Sequence, residues 1–333
     1  MYKLKKFFIL IGMTALPWFV TPQALAKNLK VVSTFSILSD FAEIVGGNRI
    51  ALTTLIGPNG DAHAYEPRPA DATAIRNADL ILANGLHLEG FLQRLIKASG
   101  TTAPVVEVSK GATLLPNSDD DPDDHEDHAH DDDDHDHHHD HGQGQEQGHA
   151  EGHHHHGKYD PHAWQSVHNA KIYVNNIAEA FCAADKEACP GYRANAGSYG
   201  EKLDVLEKEI KAAVAQIPPT QRTIITSHDA FGYFGHAYGL RFLAPQGLST
   251  DSEASAAGIA ALIQQIKKQK ASALFVENIS NPRLVEQISK ETGMKIGGKL
   301  YSDALSAQSG PAATYIDMMR HNVTTIRDAI IAP

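Results

Sequence analysis

The chain has 333 residues, of which 42% are apolar and 21% charged, with a formal net charge of −11. This is the composition of a globular protein long enough for two domains. The acidic balance supplies no basic face for nucleic acid.

Residues 1–26 read as a secretory signal. Lys3, Lys5 and Lys6 form a positive start, an apolar run follows over 7–20, and Ala24-Leu25-Ala26 offers small residues two apart for a peptidase. The run is too short to span a bilayer comfortably and Pro17 interrupts it. No Cys follows it to carry a lipid, and no later stretch approaches 18 unbroken apolar residues. The expectation is a soluble, monomeric mature protein in the periplasm.

From Asn28 onward, short apolar runs alternate with helical periodicity. Strands are expected over 29–33, 50–56, 80–83 and 105–108, with helices over 37–45, 69–78 and 88–98. The composition then breaks. Residues 117–158 hold 13 of the 20 histidines and 15 of the 40 acidic residues, with almost no apolar side chains. Such a segment cannot offset its ordering entropy by burial and is expected to be a disordered insertion.

Order resumes at Tyr159. A helix is expected over 167–184, and a long one over 191–217 in which Tyr199, Leu203, Leu206, Ile210 and Val214 recur every three to four residues before Pro218-Pro219. A second alternation follows. Strands are expected over 223–226, 240–243, 273–276 and 295–299, and helices over 230–238, 258–268, 282–292 and 312–331. The whole is an α/β fold: two α/β lobes with mainly parallel sheets, 27–189 and 220–333, joined by a long rigid linking helix over 190–219. Ligands of open α/β sheets sit beyond the carboxyl ends of strands, so the cleft between the lobes is the expected site.

Cys182 and Cys189 are the only cysteines. They fall at the end of one expected helix and the start of the next, and in an oxidising compartment nearby cysteines pair. A disulfide is the better reading, since C-x6-C is not a usual zinc spacing.

Seven histidines lie outside the insertion. His63, His162 and His228 fall in loops that follow strands or precede helices, and Asp303 follows the strand expected over 295–299. Loops at strand ends are where a rigid scaffold presents function. Three imidazoles and a carboxylate suit Zn²⁺, which accepts tetrahedral nitrogen and oxygen donors. Within the insertion, His135, His137, His138, His139, His141 and His153, His154, His155, His156 compose a second feature suited to several weak divalent-metal sites. His87, His168, His236 and His321 read as ordinary loop or helix residues.

The segments G-D-A-H-A-Y-E-P at 60–67, D-P-H-A-W at 160–164, S-H-D-A-F-G-Y-F at 227–234 and S-D-A-L at 302–305 resemble those of the periplasmic zinc-binding proteins of ABC importers, the ZnuA-like group. S-T-D-S-E-A-S-A-A at 249–257 is a looser match. The resemblance covers essentially the whole mature chain and includes the His-rich insertion and the long helix. It implies His63, His162 and His228 as metal ligands, with Asp303 or a water as the fourth. Asp61 and Glu66 flank His63 as substitutes or as supporting groups, Glu66 being the better support, and Glu277 is a further rival. Members of this group that import manganese usually have Glu where this chain has His228, so the His favours zinc.

The expected function is high-affinity capture of Zn²⁺ and its delivery to an ABC permease, with the insertion as an auxiliary collector or sensor and periplasmic zinc chaperones as further partners. Mn²⁺ or Fe²⁺ is the alternative cargo. A secreted zinc hydrolase is a third reading, with no H-E-x-x-H to support it. No G-x-x-x-x-G-K-[ST] is present either, so ATP hydrolysis belongs to a partner.

Overall fold

The computed structural model describes residues 28–117, 157–252 and 254–331. The signal expected over 1–26 and the nine histidines named in the insertion lie outside these residues. The first sheet is built from β1 (Leu29–Phe35), β2 (Ile50–Ile56), β3 (Leu80–Ala83) and β4 (Val105–Glu107), in the order β2-β1-β3-β4. The second contains β5 (Thr223–Ile225), β6 (Arg241–Leu243), β7 (Ala273–Glu277) and β8 (Ile296–Leu300), in the order β6-β5-β7-β8. Every paired strand is parallel. The two lobes therefore share one topology. In each, the chain leaves the first strand to one side and returns to cross to the other, and the crevice opens at that reversal.

Helices α1 (Ser36–Gly46), α2 (Pro69–Arg76) and α3 (Leu92–Ser99) cover the first sheet, and α6 (Gly232–Tyr238), α7 (Ala256–Gln269), α8 (Arg283–Thr292) and α9 (Tyr315–Ile331) belong with the second. Between them run α4 (Val167–Ala184) and α5 (Cys189–Ala215). The 27 residues of α5 extend about 40 Å. Its buried stripe is Tyr192, Ala196, Tyr199, Leu203, Leu206, Ile210, Ala213 and Val214. That stripe packs on α1 and α4 at one end and on α6 and α9 at the other, so a single apolar core runs through both lobes. Ile225, Leu262, Ile266, Leu274, Val285 and Ile288 form a smaller cluster in the second lobe. The disulfide Cys182–Cys189 joins α4 to α5.

Two helices, α3 and α9, start well after the positions that periodicity indicates. α3 begins at Leu92 because Gly85, Leu86 and His87 all take left-handed backbone, with φ of 82°, 55° and 64°. The buried Glu89 carboxylate holds that turn, accepting the N–H groups of Asn84 (2.7 Å) and Gly85 (3.2 Å). α9 begins at Tyr315 because Ser306 closes a loop over 306–312. Its N–H donates to the Ala312 carbonyl and its hydroxyl accepts the Ala312 N–H.

Candidate metal centre

Each residue of interest is placed by a local rule. Asp61 and Asp160 stand two residues before His63 and His162. In both cases Asp Oδ1 accepts the histidine backbone N–H at 2.9 Å, an Asx turn that turns the imidazole off the chain. His63 follows β2. His162 precedes the short 3-10 turn Ala163–Gln165 and α4. His228 lies just past β5 and Asp303 just past β8, both beyond carboxyl ends.

The four side chains meet between the lobes. His63 Nε2 is 3.2 Å from His162 Nε2 and 3.3 Å from Asp303 Oδ2. His228 Nε2 is 3.2 Å and His162 Nε2 3.7 Å from the same oxygen. All four donor atoms lie within 4.8 Å of one another. A tetrahedral donor set at 2.0–2.1 Å from an ion has its donors about 3.3 Å apart. The separations among His63, His162 and Asp303, and that between His228 and Asp303, are 3.2–3.7 Å, close to that figure. His63 is 9% exposed; His162, His228 and Asp303 are 0% exposed.

Two further carboxylates face the outer nitrogens of the rings. Asp160 Oδ1 is 2.7 Å from His162 Nδ1, and Glu277 Oε2 is 2.7 Å from His228 Nδ1. A proton held on Nδ1 leaves the Nε2 lone pair pointing inward, the tautomer that ligates a metal. Glu277 also accepts the N–H groups of Ser227 (2.7 Å) and His228 (2.9 Å) through Oε1. It thus anchors the loop by hydrogen bonds and sets a carboxylate charge against the ring.

Charge is concentrated here. Burial opposes protonation of His162, but Asp303 and Asp160 outweigh it and raise its pKa to about 9. Burial likewise opposes protonation of His228, and Glu277 and Asp303 raise its pKa well above the ordinary value. Burial would push Asp303 up, yet His162 and His228 hold it well below the usual carboxylate range. Its Oδ1 is buried with no hydrogen-bond partner.

The lobes are tied together around this cluster. The Trp164 indole N–H and the Gln165 amide both donate to the Ser302 carbonyl, at 3.0 and 2.7 Å, just ahead of Asp303. The Tyr315 hydroxyl donates to the Trp164 carbonyl at 2.7 Å. Asn84 Nδ2 donates to the Pro161 carbonyl at 3.0 Å, and Asn84 Oδ1 accepts from the Tyr173 hydroxyl at 2.6 Å. A Cβ on Gly232 would stand 2.7 Å from Asp160 Oδ2, so only glycine leaves room for that carboxylate.

The supporting role expected of Glu66 belongs elsewhere. Its side chain is exposed, and the supporting carboxylates are Asp61, Asp160 and Glu277. Glu277 is not a rival ligand either, because it faces the far side of the His228 ring from Asp303. His168 and His236 are exposed on α4 and α6, and His321 Nε2 donates to the Lys299 carbonyl at 2.9 Å. His87 lines a cavity together with His63. The role of Asp160 was open to a reader of D-P-H beside D-A-H. That of Glu277, contributed by a neighbouring strand, had no local signal.

The model of one family, described as ZnuA, zinc-uptake complex component A, periplasmic, matches residues 31–329. The chain belongs to this ZnuA family. It is accordingly a metal-binding substrate-binding protein of the ABC-importer type, and not an enzyme. Such proteins work with a membrane permease. It is 33% identical over 299 residues to the manganese-binding lipoprotein MntA of Halalkalibacterium halodurans, covering 90% of this chain and 87% of that one. It is 30% identical over 305 residues to the iron-binding protein YfeA of Yersinia pestis, covering 92% and 87%. Among solved structures, the periplasmic zinc-binding protein TroA of Treponema pallidum superposes with a TM-score of 0.77 at 28% identity, covering 91% of this chain and 99% of that one. The ZnuA-family fold carries no helix, among the described residues, long and apolar enough to cross a membrane.

Proposed function

We propose that this chain captures Zn²⁺ in the periplasm and passes it to an ABC permease, with His63, His162, His228 and Asp303 as the four ligands. The observation that supports this reading is the convergence of three imidazole nitrogens and one carboxylate oxygen within 4.8 Å. Three nitrogen donors at tetrahedral spacing suit zinc better than the oxygen-rich octahedra that manganese favours. The histidine-rich insertion serves as an auxiliary collector, and the leader over 1–26 as the export signal. A crystal of the zinc-loaded protein, read at the zinc absorption edge, tests this directly. Anomalous density between the two lobes is the expected result; density confined to the polyhistidine stretch overturns it.

Mn²⁺ or Fe²⁺ is the second reading. It is favoured by the manganese-binding and iron-binding relatives and by one feature of the site. Asp303 Oδ1 is buried without a partner, so the carboxylate has a second oxygen to offer a larger ion. His228→Glu separates the two readings. If His228 selects zinc, the ratio of zinc to manganese affinity falls by at least about tenfold, because a soft-leaning nitrogen donor becomes an oxygen. An unchanged ratio, measured by competition in metal-buffered solution, removes His228 as the selector.

The pKa of about 9 at His162 fixes a pH dependence. A histidine pKa raised by folding stabilises the metal-free protein fully below about 6.5, and that contribution is lost as pH rises through about 9. Metal binding runs the other way, because the ion must displace the proton. Zinc affinity therefore rises steadily from pH 6 to 8, and at least one proton is released per ion at pH 7. Calorimetry in buffers of different ionisation enthalpy reads that number. Zero released protons, with affinity flat across the range, contradicts the proton count.

A further inference from the structure

His63 is the member of the cluster with surface exposure, and it lines a cavity of about 290 Å³. The same cavity is walled by His87, Tyr159, Leu248, Asp251 and Ser252. A divalent ion with six waters occupies roughly 180 Å³, so the cavity accepts a hydrated ion. Beyond His63 the remaining ligands are wholly buried, and the waters must be shed on the way in.

His87 and Asp251 are both exposed on this wall, and both are held there. His87 is the third of three consecutive left-handed residues, in a turn fixed by the buried Glu89 carboxylate. Two adjacent side-chain-bearing residues at positive φ is a sparsely populated backbone, retained where the surroundings enforce it. Asp251 follows Thr250, whose hydroxyl donates to Asp61 Oδ2 at 2.5 Å. Asp61 Oδ1 in turn accepts the His63 N–H. One carboxylate therefore ties the Asp251 loop to the His63 loop. An imidazole and a carboxylate on one wall offer a divalent cation its first protein donors, and neither belongs to the final cluster.

We propose that this cavity is the route by which the metal ion reaches and leaves the buried cluster, with His87 and Asp251 as transient ligands that strip its first waters. The inference rests on the reading of the four-residue cluster as the cargo site. Transient ligands lower the barrier without touching the end state, so they act on both rates equally and not on Kd.

The test uses the full chain and Zn²⁺ alone, with Trp164 fluorescence as the reporter, since its ring packs edge-on against His162 at 5.4 Å. His87→Asn keeps a residue that tolerates left-handed backbone, and Asp251→Asn keeps size while removing charge. The double variant should slow zinc association about tenfold, the low end of what a charged, focusing cleft contributes. Chelator-driven release should slow by the same factor, leaving Kd within about twofold. Unchanged rates overturn the proposal. So does a faster release alone with weakened Kd, which would make these residues ligands of the bound state. His63→Ala is the separate control. If it leaves tight binding intact, the cargo-site reading itself fails, whatever the double variant does.

Discussion

Zinc raises the unfolding free energy of a variant lacking residues 118–156 by about 4 kcal/mol at a thousandfold excess over Kd. For a protein of this size that is a shift in Tm of roughly 7 °C. The shift survives the deletion because the four donors that converge all lie outside the deleted residues. The deletion itself is mild. Asn117 and Lys158 are already joined by an N–H to carbonyl hydrogen bond of 3.0 Å, and the Asn117 side chain donates to the Gly157 carbonyl at 3.2 Å. A short link closes the chain there beside the Pro116–Tyr159 bridge. In the same background, His162→Ala removes one donor and leaves Asp160 and Asp303 facing a void. Most of the thermal shift should then vanish. Differential scanning calorimetry with and without zinc decides the matter. A shift lost on deletion but kept in His162→Ala would move the tight site out of the cleft.

Much of this arrangement was legible in the sequence because it rests on short-range rules. Short apolar runs marked the strands of both sheets, and a 3.6-residue period marked the course of α4 and α5, whose apolar stripe repeats without a break from Tyr192 to Val214. The loops that carry the candidate ligands stood out by position, since His63, His228 and Asp303 each follow a strand. Errors fell where a single tertiary contact overrides local preference. Leu88 and Glu89 read as the opening of a helix, but Glu89 turns back to cap Asn84 and Gly85 and delays α3. Glu66 looked like a partner for His63 because it is near in sequence, yet the chain leads it to the surface. Glu277 sits 49 residues from His228 and meets it only because β5 and β7 are neighbours in the sheet. Local composition cannot encode that pairing. Strand order can, and the order β6-β5-β7-β8 becomes visible only in three dimensions.

Glu277→Gln, the smallest change available at that position, should weaken zinc binding by about 10–100-fold, the usual cost of losing an oriented partner behind a metal-ligating imidazole. The reason is a conflict of donors. In the parent, Oε1 accepts two backbone N–H groups, from Ser227 and His228, while Oε2 faces Nδ1 of the His228 ring. Glutamine offers one oxygen and one NH₂ in their place. If its oxygen stays with the backbone, its NH₂ confronts Nδ1 and drives the ring proton to Nε2, where it points at the ion. If the amide turns over, NH₂ confronts two N–H donors and the His228 loop loses its anchor. The second orientation leaves buried donors unsatisfied, at about 1–3 kcal/mol. Losing the Glu277 charge also removes the largest influence that raises the His228 pKa, so less proton competition returns part of the affinity at neutral pH. The net loss should therefore be smaller at pH 6 than at pH 8, a trend that simple unfolding of the loop would not produce. Chelator competition at both pH values measures it. Affinity within about threefold of the parent at pH 8 would mean that the ring is oriented by something other than Glu277.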